Sequence, residues 1–244
     1  MKILVCISKT PETTAKIAFK DGNTAYDSNG VQFIMNPYDE WYALVRAIEL
    51  KEAHGGSVTV INVGDATNDV VIRKALAIGA DDAIRVDSNP SSSMFVAKQI
   101  ASQAEGYDLI LTGKETIDYN GSEVGAMIAE YLGLPYISYA TKLETDGSQV
   151  TVDRDIEGGT EVAKAATPLV ISAAKGMAEQ KIPNMRGIMM AKRKPLNIVP
   201  AVDAENLAVA VSYALPAEKT SVKMIDPDNM DELVRLLREE AKVL

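Results

Sequence analysis

The fold is decided by one stretch, residues 58–86, which reads VTVINVGDATNDVVIRKALAIGADDAIRV. It begins with a mostly apolar run, Val58 to Val63, and ends with a second one, Ala83 to Val86. Between these runs, apolar residues recur at spacings of three and four from Asp69 to Ile78, which predicts a helix. Strand, helix and strand in this order indicate two parallel strands joined by a right-handed crossover.

The same alternation continues on both sides of this unit. Each further apolar run is bounded by Gly, Asp or a polar cluster, as buried parallel strands usually are. We therefore expect an α/β fold with an open, mostly parallel sheet flanked by helices. The additional predicted strands are Ile3 to Ile7 and Leu109 to Leu111, and the additional helices are Asp39 to Ala53, Met94 to Ala104 and Ser122 to Leu132.

After Pro135 the pattern changes to one that favours antiparallel hairpins. Three alternating segments, Tyr136 to Glu144, Gln149 to Ile156 and Thr160 to Ala166, are separated by Asp-Gly and Gly-Gly breaks. Such breaks are typical of tight turns between antiparallel strands. The apolar run from Pro168 to Ala173 is expected to rejoin the parallel sheet. The predicted α/β domain, with its hairpin addition, covers residues 1–180.

The composition changes at Lys181. Residues 181–202 carry 5 basic and no acidic groups, whereas the whole chain has 25 basic and 34 acidic ones and a formal net charge of −9. Two prolines and Gly187 favour an exposed basic loop over residues 181–196. The apolar side chains within it need a covering partner, and methionines adapt to several. They are Met185, Ile188, Met189 and Met190.

The last segment, residues 197–244, is predicted to be a C-terminal arm. It contains Pro200, Pro216 and Pro227 and closes with an amphipathic pattern from Met230 to Val243. An arm of this kind favours wrapping of a partner subunit over independent folding.

Charge and residue counts exclude several classes of function. A pI near 4.8 disfavours nucleic acid as a partner, because the molecule as a whole repels phosphate backbones. The single cysteine, Cys6, and the single histidine, His54, leave no disulfide within the chain and no cysteine-based metal site. No run approaches the roughly 20 apolar residues that span a bilayer, so we expect a cytoplasmic protein without direct membrane binding.

The candidate site follows from the rule that ligands of open parallel sheets lie beyond the carboxyl ends of the strands. Residues 112–126 read TGKETIDYNGSEVGA, and their small residues open a helix whose N–H groups suit a phosphate. An ordinary capped helix, with glycines for packing, is the alternative. The Asn36-Pro37 turn likewise fits either a helix start or a contact to an adenine edge. Without a Gly-x-Gly-x-x-Gly or a P-loop motif, dehydrogenase and P-loop functions are disfavoured.

Five segments in order resemble the beta subunit of electron transfer flavoproteins, over residues 2 to about 200 and more loosely beyond. The resemblance implies an adenine-nucleotide-binding, HUP-like fold and a heterodimer with a larger alpha subunit that holds a redox-active FAD. The chain would then be an electron-carrier subunit without catalytic residues. The segments are Asn36-Pro37, Lys74 to Asp81, Gly113 to Gly125, Asp153 to Glu161 and Met185 to Lys194.

The resemblance also implies a nucleotide in this chain, AMP in the common members and a second FAD in NADH-dependent bifurcating members. Val124 matches the bifurcating version, but Tyr119 is bulky where that version has Gly, and Glu123 stands where both have Gln. We expect AMP, with the second FAD as the alternative. The implied contacts are Cys6, Asn36, Pro37, Tyr38, Asp39, Val63, Gly113, Lys114, Asp118, Tyr119, Asn120, Gly121, Ser122, Glu123 and Val124, with the phosphate at Ser122.

The implied partners are flavin dehydrogenases, such as acyl-CoA dehydrogenases, and as acceptor a membrane-bound quinone oxidoreductase. Met185 occupies the position of the apolar anchor that docks on dehydrogenases, and charge complementarity would steer the encounter. Arg154 and Glu161 are implied contacts with the alpha subunit. The residues around the anchor are Arg186, Ile188, Lys192, Arg193 and Lys194.

Two stand-alone classes share this kind of sheet. A universal-stress-type regulator is disfavoured by the extension at 181–244 and by the lack of its Gly-rich loop. An ATP-cleaving ligase is disfavoured because Ser8-Lys9-Thr10-Pro11 follows the first strand, where a Ser-Gly-Gly-x-Asp-Ser loop is needed.

Overall fold

The computed structural model describes residues 1–90, 92–218 and 221–244. Its main feature is a nine-stranded sheet with helices on both faces. The strands of the described residues are β1 (Lys2–Cys6), β2 (Lys9–Pro11), β3 (Phe19–Lys20), β4 (Ala25–Tyr26), β5 (Phe33–Met35), β6 (Ser57–Val63), β7 (Asp82–Asp87), β8 (Leu109–Gly113), β9 (Tyr136–Thr145), β10 (Gln149–Ile156), β11 (Gly159–Ala166), β12 (Leu169–Ala173) and β13 (Leu196–Pro200). Four of them lie outside the large sheet, in the antiparallel pairs β2–β5 and β3–β4. The helices are α1 (Asp39–His54), α2 (Asp69–Ile78), α3 (Ser93–Ala101), α4 (Val124–Leu132), α5 (Met185–Ala191) and α6 (Met230–Glu239), and a short 3₁₀ turn spans Ala66–Asn68.

The sheet confirms the predicted mixed architecture. Its spatial order is β11-β10-β9-β12-β8-β1-β6-β7-β13, and all neighbours are parallel except β9–β10 and β10–β11. The strand predicted to return after the hairpins does so, because Leu169 pairs with Leu109 of β8. Since β1 lies between β6 and β8, the strand order reverses direction at the centre of the sheet.

The core lies on both faces of this sheet. Alternate residues of β1 point to opposite faces: Ile3 and Val5 join the cluster that includes α1 and α2, whereas Leu4 and Cys6 join the cluster with α3 and α4. Burial on both faces explains why the central strands are almost continuously apolar.

Two predicted elements differ from the structure in their extent. The helix expected to open at Ser122 begins at Val124, because Asn120 (φ 50°) and Ser122 (φ 54°) have left-handed backbones that cannot join a right-handed helix. The helix expected to run to Val243 ends at Glu239. The strands and the helices of the parallel half agree with the predictions within a few residues at each end.

The expectation of a loop over residues 181–196 is corrected by helix α5. The Asn184 side chain accepts a hydrogen bond from the Gly187 backbone at 2.8 Å and caps the helix. Gly187 allows close packing on α2, because a Cβ there would lie 2.4 Å from the carbonyl oxygen of Ala77. Strand β13 follows and pairs with β7, so the sheet extends into the range predicted to be the arm.

The chain forms two compact units. The first comprises Met1–Lys16 and Asp27–Val211 and contains the nine-stranded sheet. The second comprises Ile17–Tyr26 and Ser212–Leu244, and within it the ring of Phe19 stacks on that of Tyr213 at a centroid distance of 4.9 Å. Within the described residues, no helix is long and apolar enough to span a bilayer.

Candidate functional site

The carboxyl ends of β1, β6 and β8 open into a cavity of about 380 Å³. Its walls are the segments that follow these three strands, together with the beginnings of α3 and α4. The cavity thus lies where the strand order reverses, the position at which open α/β sheets bind ligands. We call it the central cavity.

The predicted nucleotide contacts divide into three groups. Four of them line a second cavity of about 260 Å³, which Lys114 shares: Pro37, Tyr38, Asp39 and Asn120. Asn36 and Asp118 line neither cavity. Nine line the central cavity: Cys6, Val63, Gly113, Lys114, Tyr119, Gly121, Ser122, Glu123 and Val124.

Asn36 holds the loop between the two cavities. Its side chain is fully buried, and Nδ2 donates to the carbonyl oxygen of Glu115 while Oδ1 accepts from the amide of Ile117, both at 3.1 Å. The amide therefore fixes the backbone after β8. The position of Asn36 before a proline predicted a turn. Its hydrogen-bond partners, Glu115 and Ile117, are 79 and 81 residues away, so no pattern in the neighbouring sequence identifies them.

One end of the central cavity has features that suit a phosphate group. Helix α4 begins here after the turn through Gly121, and its free N–H groups carry partial positive charge. Thr112, a residue only 3% exposed, lines the same cavity, and its buried hydroxyl has no hydrogen-bond partner among the described residues. An unpaired buried hydroxyl is costly, so it points to a bound polar group. Gly125 allows α4 to pack closely on the sheet here, because a Cβ there would lie 2.9 Å from Thr112 Oγ1.

Glu40 lines the central cavity, whereas the sequence predicted it only as part of a helix start. It is 5% exposed, and Ser8 donates to it through both its backbone amide and its hydroxyl. Burial raises the pKa of the carboxyl to about 8, and the charges of Asp118 and Asp39 act in the same direction. Burial, with Glu40 nearby, also raises the pKa of the Cys6 thiol, which excludes a reactive thiolate.

Two buried amides, Asn62 and Asn68, were also missed. Both line the central cavity, Asn62 near the end of β6 and Asn68 in the segment that follows it. Because β1 lies between β6 and β8, this segment is two strand spacings, about 10 Å, from the strand that leads to α4. The two ends of the cavity thus differ in chemistry, with amide side chains at one and a helix N-terminus at the other.

The residues predicted to bind partners lie outside the cavities on two exposed surfaces. Met185 and Ile188 of α5 are exposed, as are Arg186, Lys192 and Arg193 around them. Arg154 and Glu161 pair with each other across β10 and β11, with Nη1 and Oε2 3.4 Å apart.

Helix α5 is held in place by its neighbour α2. The Arg73 guanidinium donates to the carbonyl oxygens of Ala191 and Lys194 at 2.8 and 2.7 Å. In the reverse direction, the Lys194 ammonium donates to the carbonyl oxygens of Leu76 and Ala80 at the end of α2. These bonds satisfy helix-terminal carbonyls and fix the exposed face of α5.

An open, mostly parallel sheet with a polar crevice at its central strand reversal defines an α/β protein of the open-sheet class, in which such a crevice is the usual position of a ligand. The electron transfer flavoprotein domain model matches residues 24–204. The electron transfer flavoprotein subunit beta of Bacillus subtilis is 35% identical, with 100% of both chains covered, and that of Syntrophomonas wolfei is 37% identical, covering 91% of this chain and 88% of the relative. The human subunit beta is 29% identical over 100% of this chain and 99% of the relative. The chain belongs to the family of electron transfer flavoprotein beta subunits.

Proposed function

We propose that this chain is the beta subunit of a cytoplasmic heterodimer that carries electrons from flavin dehydrogenases, such as acyl-CoA dehydrogenases, to an acceptor. The alpha subunit holds the redox-active FAD, and this chain binds AMP in the central cavity and supports the flavin environment. A membrane-bound quinone oxidoreductase is the proposed acceptor. The chain acts as a carrier subunit and has no catalytic residue of its own.

One observation carries the nucleotide assignment: Thr112, whose buried hydroxyl is unpaired among the described residues, lines the same cavity as the N-terminus of α4. A phosphate at this end would accept hydrogen bonds from the hydroxyl and from the helix N–H groups together. The backbone turns at Asn120 and Ser122 place Gly121 beside that helix N-terminus. This supports a phosphate monoester at the position that the sequence predicted, two residues before α4.

The dimensions of the cavity favour one mononucleotide. Its volume of about 380 Å³ lies at the lower end of the range for small-ligand sites, roughly 300–1,000 Å³. A second FAD remains the alternative, because Val124 matches the bifurcating version of the loop. In that case the site would itself be redox-active and the heterodimer would accept electrons from NADH.

Partner recognition is proposed for two surfaces. Met185 supplies an apolar anchor, and Ile188 with the surrounding cations Arg186, Lys192 and Arg193 suits a dehydrogenase surface with an acidic rim. Arg154 and Glu161 are proposed to contact the alpha subunit by exchanging their mutual ion pair for charges of that subunit.

The nucleotide content of the purified heterodimer tests the cofactor assignment. The chain is co-expressed with its alpha subunit, denatured, and the released nucleotides are identified and counted by chromatography and mass. One FAD and one AMP per heterodimer support the proposal. Two FAD and no AMP favour the bifurcating alternative, and one FAD alone contradicts a nucleotide in the central cavity.

Electron-transfer kinetics test the partner surfaces. Met185→Glu should raise the KM for an acyl-CoA dehydrogenase because it places a carboxylate at the apolar anchor, whereas Met94→Glu on α3 is the matched control and should not. Glu161→Ala should alter the transfer rate and leave the bound nucleotide in place. An unchanged KM in the first variant, or an unchanged rate in the second, would contradict the corresponding assignment.

A further inference from the structure

The side-chain amides of Asn62, near the end of β6, and Asn68, after it, form a directed series of hydrogen bonds. Asn62 is 2% exposed, and its Nδ2 donates to the carbonyl oxygen of Ile7 at 2.8 Å. Asn68 is 7% exposed, and its Nδ2 donates to Asn62 Oδ1 at 2.8 Å. Both side chains line the central cavity.

The Ile7 carbonyl fixes the direction of both hydrogen bonds. The Ile7 carbonyl can only accept, so Asn62 must present its NH₂ group to it and its oxygen to Asn68. Asn68 must then present its own NH₂ group to Asn62, and its Oδ1 is left over as an acceptor. No side chain or backbone group of the described residues donates a hydrogen bond to that oxygen, and it is not among their fully buried unpaired atoms, so it is accessible from the central cavity that Asn68 lines.

The backbone around Asn68 holds this arrangement rigidly. A Cβ at Gly64 would lie 1.9 Å from Asn68 Nδ2, so the amide is packed directly against the backbone of Gly64. The Gly64 amide donates to the Val86 carbonyl at 3.0 Å, and the Gly64 carbonyl accepts from Arg85 at 2.9 Å. A flip of either amide would place two oxygens or two NH₂ groups against each other in these hydrogen bonds. The Asn68 side chain is therefore preorganised.

The charges near Asn68 disfavour a phosphate at this end. Lys9 and Arg85 are the cations beside it, and they are offset by Asp65, Asp69 and Asp87. Hydrogen bonds from Thr67 hold the pKa of Asp65 below its usual range, which keeps this carboxyl ionised. The uncharged base of a nucleotide therefore fits here, about 10 Å from the phosphate end.

We propose that Asn68 Oδ1 accepts a hydrogen bond from the exocyclic amino group of the base, and that Asn68 thereby makes the central cavity selective for adenine over hypoxanthine. The inference rests on the proposed function, because it takes the ligand to be a nucleotide. Hypoxanthine has a carbonyl oxygen where adenine has the amino group. Two acceptors would then face each other, and a site built for a hydrogen bond rejects such an analogue strongly.

The test compares the binding of AMP and IMP to the full chain in complex with its alpha subunit, after removal of copurified nucleotide. AMP should bind the wild type at least about 100-fold more tightly than IMP, measured by calorimetry. Asn68→Leu removes the acceptor and should reduce this ratio to less than about 5-fold. Asn29→Leu, which changes an exposed asparagine outside both cavities, is the control and should retain the ratio.

The ratio of AMP to IMP affinity in the wild type still tests the proposal if the Asn68 variant fails to fold. Equal affinities for AMP and IMP in the wild type, or a ratio retained in Asn68→Leu, would overturn the role of Asn68 and leave the proposed function standing. Failure of both nucleotides to bind would overturn the proposed function together with the inference. Purine riboside monophosphate, which lacks any group at that ring position, should bind with an affinity between the two.

Discussion

Glu40 accepts two hydrogen bonds from one residue: the Ser8 amide donates to Oε2 at 2.6 Å and the Ser8 hydroxyl donates to Oε1 at 2.7 Å. This pair joins the first turn of α1 to the end of β1 and forms part of the wall of the central cavity. The two bonds favour the ionised carboxyl, but desolvation outweighs them and leaves its pKa near 8.

The first prediction concerns the pH dependence of stability at Glu40. Its folded pKa of about 8 lies above the ordinary value of 4.5, so the folded state binds more protons between these values. Wild-type stability should therefore be favoured at low pH and lost as pH rises towards 8, by an amount of the order of a few kcal/mol relative to Glu40→Gln. Denaturant unfolding at pH 5, 6.5 and 8 measures this difference. The exposed Glu130→Gln is the control, and parallel curves for wild type and Glu40→Gln would contradict the prediction.

Gly113 is predicted to be intolerant of a side chain. A Cβ at this position would lie 2.7 Å from Cγ of Glu40 and 2.9 Å from its backbone nitrogen, and backbone cannot move aside cheaply. Gly113→Ala should lower the free energy of unfolding by about 1–3 kcal/mol and weaken AMP binding. In Gly121→Ala the nearest atom is 3.6 Å away, so its stability should change little. Thermal unfolding of both variants measures this difference in stability. Equal losses of stability in the two variants would contradict the predicted clash at Gly113.

Asn36 is predicted to set the geometry of the loop after β8. Asn36→Ala removes both hydrogen bonds to that loop and leaves two partly buried backbone groups unpaired, which should cost about 1–3 kcal/mol. Asn36→Asp keeps the acceptor for the Ile117 amide but loses the donor to the Glu115 carbonyl. This variant therefore separates the contributions of the two hydrogen bonds to stability. Chemical unfolding and AMP affinity are measured together. Full AMP affinity in a folded Asn36→Ala protein would contradict a role of this loop in binding.

Arg73 is predicted to fix the exposed face of α5. Arg73→Met removes the donors to the Ala191 and Lys194 carbonyls, which should cost about 1.5–3 kcal/mol and loosen the helix. Hydrogen exchange of the α5 amides should accelerate, and the KM for a dehydrogenase should rise. Arg186→Met removes the same charge from the exposed side of α5 and should leave exchange unchanged. Unaltered exchange in Arg73→Met would mean that other contacts hold the helix.

Much of the fold could be predicted from the sequence because its signals are local and repeated. Apolar runs predicted the central strands, and apolar residues at spacings of three and four predicted four helices. The Asp-Gly and Gly-Gly breaks predicted the hairpins, and all of these elements lie within a few residues of the predicted bounds. Helix α5 was missed because it has only seven residues and contains a glycine, and its support comes from α2. Short helices depend on packing rather than on propensity, so sequence periodicity predicts them poorly.

The candidate site was only partly predictable. The loop after β8 could be identified because its small residues follow a buried strand, and most of it lines the central cavity. The pairs Ser8–Glu40 and Asn62–Asn68 left no signal of their own. An acid in a first helical turn is common, and two asparagines six residues apart indicate no particular contact.

The sequence by itself determined the order of the strands and helices, the central position of the apolar strands and the family to which the chain belongs, because these depend on periodicity and on motifs close in the chain. The tertiary structure alone decided which polar groups meet. Glu40 acquires its raised pKa and Asn68 its outward acceptor because strand pairing buries both side chains at the central cavity beside β1. The pKa of Glu40 and the hydrogen-bond direction at Asn62 depend on neighbours far away in the chain, Asp118 for Glu40 and Ile7, 55 residues away, for Asn62.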